Sequence, residues 1–464
     1  MHGPVAAMVL AAGSSSRFGA PKLLAQLDGR PVLQHVLDTL AAVGSVEVIV
    51  VLGSHADDVE ARIAWRTERR IRNPRPEDGL ASSLRLGLAA MRPDIEAVLI
   101  ALGDQPTLRP DVIAALLTAD PVGLAPAIVP VYASGEGANP VLLRRSAFVL
   151  AAGLGGDQGL GRVLAQTPGV VRVAVSGGLP DVDTRADLAA LVETAWAERV
   201  RSNRDQVDRL REVPDGPDFY GPISSLFRAD PTRADDPVLD LLLHEVRSDE
   251  AWLDVGAGAG RFALPIARRV REVVALDPSE RMLAALREIA AEHGIDNVRT
   301  ILARWPLLEV PSADRPRADV VLIAHVGYDV EAIGPFVDAL EGAARRRCLA
   351  VLMERQPAST IDPLWPLVHG EARVPLPALP EFLEWLGARG RAPEVSYLPR
   401  PPARYGTFDE VLAFGRRQTW VAEGSEKDRR LVAALRERAT ETPDGWSLPA
   451  AEMRIGVVSW APEQ

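Results

Sequence analysis

Two successive α/β units, each a three-layer, doubly wound arrangement of a mainly parallel sheet between helices, are predicted by three observations. At 464 residues the chain exceeds what one ordinary core accommodates. Short apolar runs alternate with amphipathic stretches through both halves, the rhythm of βαβ units. A polar, proline-bearing stretch then interrupts that rhythm near the middle.

In the first half the strand-like runs are 5–10, 46–52 and 97–102, and PVLQHVLDTLAAV supplies a helical pattern between the first two, with Pro31 suited to its first turn. The helical pattern 186–201 gives way to SNRDQVDRLREVPDGPDFYGP, which places a linker at about 200–217 between domains 1–199 and 218–464. The second half restarts with AWLDV (251–255), EVVAL (272–276), ADVVLIA (318–324) and CLAVLM (348–353), separated by helices such as SERMLAALREIAAEHG. Beyond the rhythm the halves share no self-similarity, so they are unrelated modules.

Composition excludes several classes. A net charge of −11 argues against a broad nucleic-acid surface. The single cysteine, Cys348, rules out an intrachain disulfide and a cysteine-cluster zinc site, and its apolar neighbours predict a buried thiol in a strand. No apolar run approaches the roughly 18 residues of a membrane span. The opening MHGPVAAMVLAAG lacks a basic leader and reads as a first strand, so a soluble, cytoplasmic chain is expected.

LAAGSSSRFGAPK (10–22) follows the first strand and gathers glycines, serines, Arg17 and Lys22 in one loop. Exposed backbone N–H groups and cations there favour an anion. It is not a Walker loop, because Leu23 follows Lys22 where a metal-binding hydroxyl would stand. All but two of the 52 Lys and Arg residues are arginine, the lysines being Lys22 and Lys427. Lys22 therefore keeps a compact ammonium on a flexible stem at the end of this loop. Asp104, in GDQP at the end of the third strand, offers a carboxylate of the kind Mg²⁺ prefers beside phosphate oxygens. In PDVDTRADL, Thr184 and Asp187 form a capping pattern that leaves Asp183 free for a second metal contact.

LAAGSSSRFGAPKLL, GLASSLRLGL, GDQP, ANPVLL, GDQGLGRVL and DVDTRADL stand in the order of the MobA-like nucleotidyltransferases. Residues 5 to about 195 resemble that family, and most of all its molybdenum cofactor cytidylyltransferases. The resemblance implies a Rossmann-like domain that transfers a nucleoside monophosphate to a phosphorylated acceptor and releases pyrophosphate. It implies backbone contacts to the nucleotide from Ala11, Ala12 and Gly13, phosphate contacts from Arg17 and Lys22, Mg²⁺ held by Asp104 and Asp183, and base or sugar contacts from Ser82 and Ser83. LAAG with GDQP resembles the cytidylyl branch, hence CTP, with the terminal phosphate of a molybdopterin-type acceptor attacking the α-phosphorus and no protein nucleophile. Ala138 and Gln158 depart from the family pattern, which keeps a sugar or alditol phosphate open as acceptor. A third reading is a maturation factor that binds the pterin cofactor and a molybdoenzyme client with idle active sites.

WLDVGAGAGRF in the second half places Gly256, Gly258 and Gly260 after a strand ending near Asp254, with Asp277 closing the next strand. Arg261 stands where a dinucleotide fingerprint would need glycine. Residues 218–464 resemble the class I S-adenosylmethionine-dependent methyltransferases, a second Rossmann-like fold. The resemblance implies that the glycine loop and Asp254 lie by the methionine portion and that Asp277 accepts the ribose hydroxyls. Trp305 stands where the family often has an adenine-contacting acid, and reads as a stacking or a packing residue. Signatures of base methylation are absent, so a small-molecule acceptor is expected, with His325 and Tyr328 as acceptor-side candidates and 357–402 as a cap.

Overall fold

The computed structural model of the chain describes residues 4–135, 137–214, 228–443, 445–448 and 452–463. It divides into two compact units, 1–192 and 193–464.

The first unit is built on seven strands: β1 (Val5–Ala11), β2 (Val48–Leu52), β3 (Arg69–Arg72), β4 (Ala97–Leu102), β5 (Ala127–Tyr132), β6 (Val141–Arg144) and β7 (Val171–Val175). Their order is β3-β2-β1-β4-β6-β5-β7. The sheet is mixed, because β6 runs antiparallel to both β4 and β5. Buried on both faces, β1 and β4 read as continuous apolar runs rather than alternating ones. One face packs Ala7, Val9, Leu33, Leu37 and Leu40, the other Met8, Leu84, Val98 and Ile100. The chain leaves β1 for β2 on one side and returns to β4 on the other, so the crevice over the carboxyl ends of β1 and β4 is the topological switch point.

The second unit has β8 (Ala251–Val255), β9 (Glu272–Asp277), β10 (Val298–Leu302), β11 (Ala318–Ala324), β12 (Ala344–Met353), β13 (Glu394–Pro399) and β14 (Arg454–Trp460). Their order is β10-β9-β8-β11-β12-β14-β13, with β14 antiparallel to both its neighbours. Its switch point lies between β8 and β11. Cys348 is buried in β12, as its neighbours predict, and burial raises its thiol pKa. Beyond β12 a smaller core gathers Ile361, Leu364, Val368, Val411, Leu431 and Leu435.

The helix Arg185–Leu210 continues well into the stretch whose composition reads as linker. Polar side chains there are tied down: Gln206 donates to the carbonyl of Ala372 at 2.7 Å and accepts from the N–H of Val374 at 2.8 Å, while Val200 and Val207 are buried. Polarity thus marks a helix docked through hydrogen bonds, and the boundary between compact units falls earlier, after Val192. Residues 215–217 of the expected linker and the first ten of the expected second domain lie outside the described residues. Among the described residues no helix is long and apolar enough to cross a membrane.

Candidate active sites

In the first unit four of the sequence-predicted residues meet at the switch point. The Lys22 ammonium lies 2.6 Å from an Asp104 carboxylate oxygen and 2.7 Å from one of Asp183, and Arg17 reaches the other Asp183 oxygen at 3.3 Å. Local chemistry explains the convergence. Ser15, at φ +55°, turns the loop, and its hydroxyl accepts the N–H of Lys22 at 3.2 Å. The N–H of Val182 donates to the Asp104 carbonyl at 2.9 Å, which lays the DVD segment along the end of β4. Asp187 accepts from the N–H groups of Asp183 and Thr184 at 3.1 and 2.7 Å, so the capping pattern also fixes Asp183.

Burial alone would lower the Lys22 pKa, but Asp104 and then Asp183 outweigh it and hold the ammonium above its ordinary value. Asp181, behind the pair, is pushed upward by burial and by the charge of Asp104, while Gln105 donates to it at 2.6 Å. One oxygen of Asp104 is buried with no partner. An orphaned carboxylate oxygen costs free energy unless something occupies it. Two carboxylates already gathered by one cation, with that oxygen to spare, form a donor set that fits a hard divalent ion.

The loop is backed closely. A Cβ on Gly53 would come within 2.7 Å of Ala12 Cα, and Gly103 donates its N–H to the Leu10 carbonyl at 2.9 Å. Ala11 is buried, whereas a Cβ on Gly13 would meet nothing within 4 Å. Ser82 and Ser83 sit in the first turn of the helix Leu80–Ala89, and Asn73 donates to their hydroxyls at 2.8 and 2.9 Å. Ser83 is buried. Asn73 did not stand out in the sequence; its position just past β3 is the available signal. The structure also joins two separate motifs: the N–H of Ala81 donates to the Gly156 carbonyl at 3.0 Å, which sets the Gln158 loop against the serine-bearing helix.

In the second unit Gly256 and Ala257 donate to the Leu276 carbonyl at 2.7 and 3.1 Å, folding the glycine loop over the ends of β8 and β9. Asp277 closes it, accepting the N–H of Gly258 at 2.9 Å through one oxygen and that of Ser279 at 2.8 Å through the other. Gly256, Gly258 and Gly260 all have positive φ, and a Cβ on Gly260 would come within 2.9 Å of both Leu264 and Leu286. Asp254 is buried with one oxygen unpartnered, and burial followed by the charge of Asp277 pushes its carboxyl up to about 7. A buried acid beside an open glycine turn suits a ligand that brings positive charge. Trp305 is buried and donates its indole N–H to the Phe336 carbonyl at 3.2 Å, which makes packing its observed role.

The raised Asp254 carboxyl predicts a pH signature. Its native pKa lies above the unfolded value, so the native state binds the extra proton and stability falls as pH rises from about 4 to about 7. The Asp254→Asn variant is expected to gain up to ~4 kcal/mol relative to the parent above pH 7 and nothing below pH 4. Urea unfolding of both chains across that range checks it; a difference independent of pH would refute it.

Each of the two α/β units thus carries a glycine loop at its switch point, one with gathered carboxylates and cations and the other with an acid closing the second strand. A family model described as MobA-like NTP transferase domain matches residues 7–171, and one described as methyltransferase domain matches residues 253–345. The chain fuses a MobA-like NTP transferase domain to a methyltransferase domain. The bifunctional protein GlmU of Halorhodospira halophila is 39% identical over 132 residues, 28% of this chain and 28% of that one. The chain thus spans under a third of that relative's length. Among solved structures, Rv0371c from Mycobacterium tuberculosis H37Rv is 33% identical, with a TM-score of 0.38 over 41% of this chain and 98% of that one. The YcgJ protein of Bacillus subtilis is 20% identical, with a TM-score of 0.36 over 49% of this chain and 98% of that one.

Proposed function

We propose that the first domain transfers CMP from CTP to the terminal phosphate of a molybdopterin-type acceptor, releasing pyrophosphate, and that the second transfers a methyl group from S-adenosylmethionine to a small molecule. The observation that carries the first half is Lys22 held between Asp104 and Asp183 at the switch point. Asp104 and Asp183 would hold Mg²⁺, which when bound neutralises charge on the pyrophosphate leaving group. Backbone groups of the loop that opens at residues 11–13 would meet the incoming phosphates, and Lys22 would follow them on its flexible stem. To do so the ammonium leaves its carboxylates. Phosphate capture and release of the acidic pair are therefore one movement of a single side chain. Arg17, largely exposed, adds charge at the mouth. Positioning and electrostatics supply the catalysis.

In the second domain Asp277, which closes the glycine loop, would accept the ribose hydroxyls, and Asp254 would lie by the methionine portion. S-adenosylmethionine supplies the electrophilic methyl when bound. Gln158, in the loop set against the Ser82 helix, departs with Ala138 from the family pattern on the acceptor side, and this keeps a sugar or alditol phosphate as the second reading.

Pyrophosphate release by the full chain with Mg²⁺ and molybdopterin is the test, comparing CTP, GTP and ATP. Release with CTP alone supports the proposal, release only with a sugar or alditol phosphate selects the second reading, and CTP binding without turnover overturns the acceptor. Gly13 offers a clean probe, since a Cβ there meets nothing in the protein. Gly13→Ala is expected to leave the melting temperature within about a degree and to weaken CTP binding at least ten-fold by calorimetry. Unchanged CTP affinity would remove the loop from the nucleotide site.

A further inference from the structure

At the carboxyl edge of the second sheet, His325 continues β11, its N–H donating to the Val351 carbonyl on β12 at 2.8 Å. Tyr328 returns to the same edge, its hydroxyl accepting the N–H of Met353 at 2.8 Å. Arg400 leaves the end of β13, its N–H donating to the Met453 carbonyl at the start of the antiparallel β14 at 2.8 Å. The strand order β11-β12-β14-β13 therefore sets His325 and Arg400 on one edge, three strand spacings or about 14 Å apart at the backbone. This edge lies on the far side of the switch point from the glycine loop and Asp277.

Arg400 differs from four other inner arginines of this unit. Arg346 pairs with Glu250, Arg373 with Asp362, Arg391 with Glu341 and Arg416 with Asp428. Half-buried Arg400 has no carboxylate partner among the described residues. Burial lowers its pKa against the opposing influence of the Tyr405 and Tyr328 phenols. Burial pushes the Tyr405 phenol up to about 12, so it brings Arg400 no negative charge at neutral pH. Burial, Arg261 and Arg400 push His325 down to about 4 against the opposing pull of Asp236, and its Nδ1 is buried without a partner. Arg261 is itself engaged with Asp236 at 3.1 Å. A half-buried guanidinium without a carboxylate partner is a ready seat for an anion, which it can hold by charge-assisted hydrogen bonds.

We infer that the methyl acceptor of the second domain is a small organic anion, its carboxylate or phosphate seated on Arg400 and its body lying toward His325. The inference rests on the methyltransferase reading and names that domain's substrate class. It requires Arg400 to bind the anion independently of S-adenosylmethionine recognition by Asp277 and the glycine loop.

The test uses the full chain saturated with S-adenosylhomocysteine, titrated with benzoate, phenyl phosphate and the neutral benzamide. Benzoate or phenyl phosphate is expected to bind at least ten-fold more tightly than benzamide, the tighter of the two identifying the anion class. Arg400→Gln is expected to erase that preference while the S-adenosylhomocysteine affinity stays within two-fold. Arg400→Lys should retain part of the preference, which separates loss of charge from loss of fold. Equal binding of benzoate, phenyl phosphate and benzamide, no binding of either anion, or a preference indifferent to Arg400→Gln overturns the inference. Absence of S-adenosylhomocysteine binding to the parent chain overturns the methyltransferase reading first, and this one with it.

Discussion

Asp104→Asn is expected to reduce CTP-dependent pyrophosphate release by a factor on the order of 10³, the effect of removing a charged group that acts where transition-state charge is managed. The substitution keeps shape and hydrogen-bonding capacity while deleting the charge 2.6 Å from Lys22. Folding should survive, because Lys22 keeps Asp183 at 2.7 Å and the N–H of Val182 bonds the Asp104 carbonyl rather than its side chain. A stability loss of about 1–2 kcal/mol by urea unfolding is expected, below the roughly 3–5 kcal/mol of a buried pair broken outright. Lys22→Met should also abolish release, and the double variant should be no worse than either single one, since both residues serve one charge-neutralising unit. Additive losses would mean that the two act in separate steps, and an Asp104→Asn chain with parental activity would remove the carboxylate from the reaction.

The sequence showed much of this site because its chemistry needs unusual residues in unusual places. A lysine in a chain of arginines, a carboxylate at the end of an apolar strand and a capping pattern with one acid to spare are each visible without coordinates, and the fold brings them within hydrogen-bond distance. Strand positions were legible for the same reason: β4, β8 and β11 are buried runs whose limits match their apolar letters. What stayed hidden depends on partners far along the chain. Asn73 acquires meaning only when its amide meets Ser82 and Ser83, and Arg400 looks like any other arginine until the strand order sets it opposite His325. The helix through residue 210 was hidden because Asn203 and Gln206 are polar to the eye yet buried in fact, their amides bonded to the backbone of residues 372–374. The antiparallel β6 escaped as well, since alternation of strand and helix does not encode direction.

In the second domain, neighbouring glycines are expected to fail in different ways. Gly256 has φ +76°, and a Cβ there would overlap a methyl of Val326, the residue after His325. Gly258 has φ +53°, and a Cβ there would meet nothing within 4 Å, while its N–H donates to Asp277. Both positions charge an alanine roughly 1–2 kcal/mol for left-handed backbone. Gly256→Ala adds a clash with a β-branched side chain that can only exchange one methyl for another, for a total loss of about 2–4 kcal/mol. Gly258→Ala should lose only the backbone component, yet its methyl would project into the open space where the proposed S-adenosylmethionine would sit. Calorimetric binding of S-adenosylhomocysteine is expected to weaken at least a hundred-fold in Gly258→Ala despite the milder destabilisation. A Gly258→Ala chain with parental affinity would show that the loop is folded for packing alone, and that the methyltransferase domain carries its fold without its cofactor.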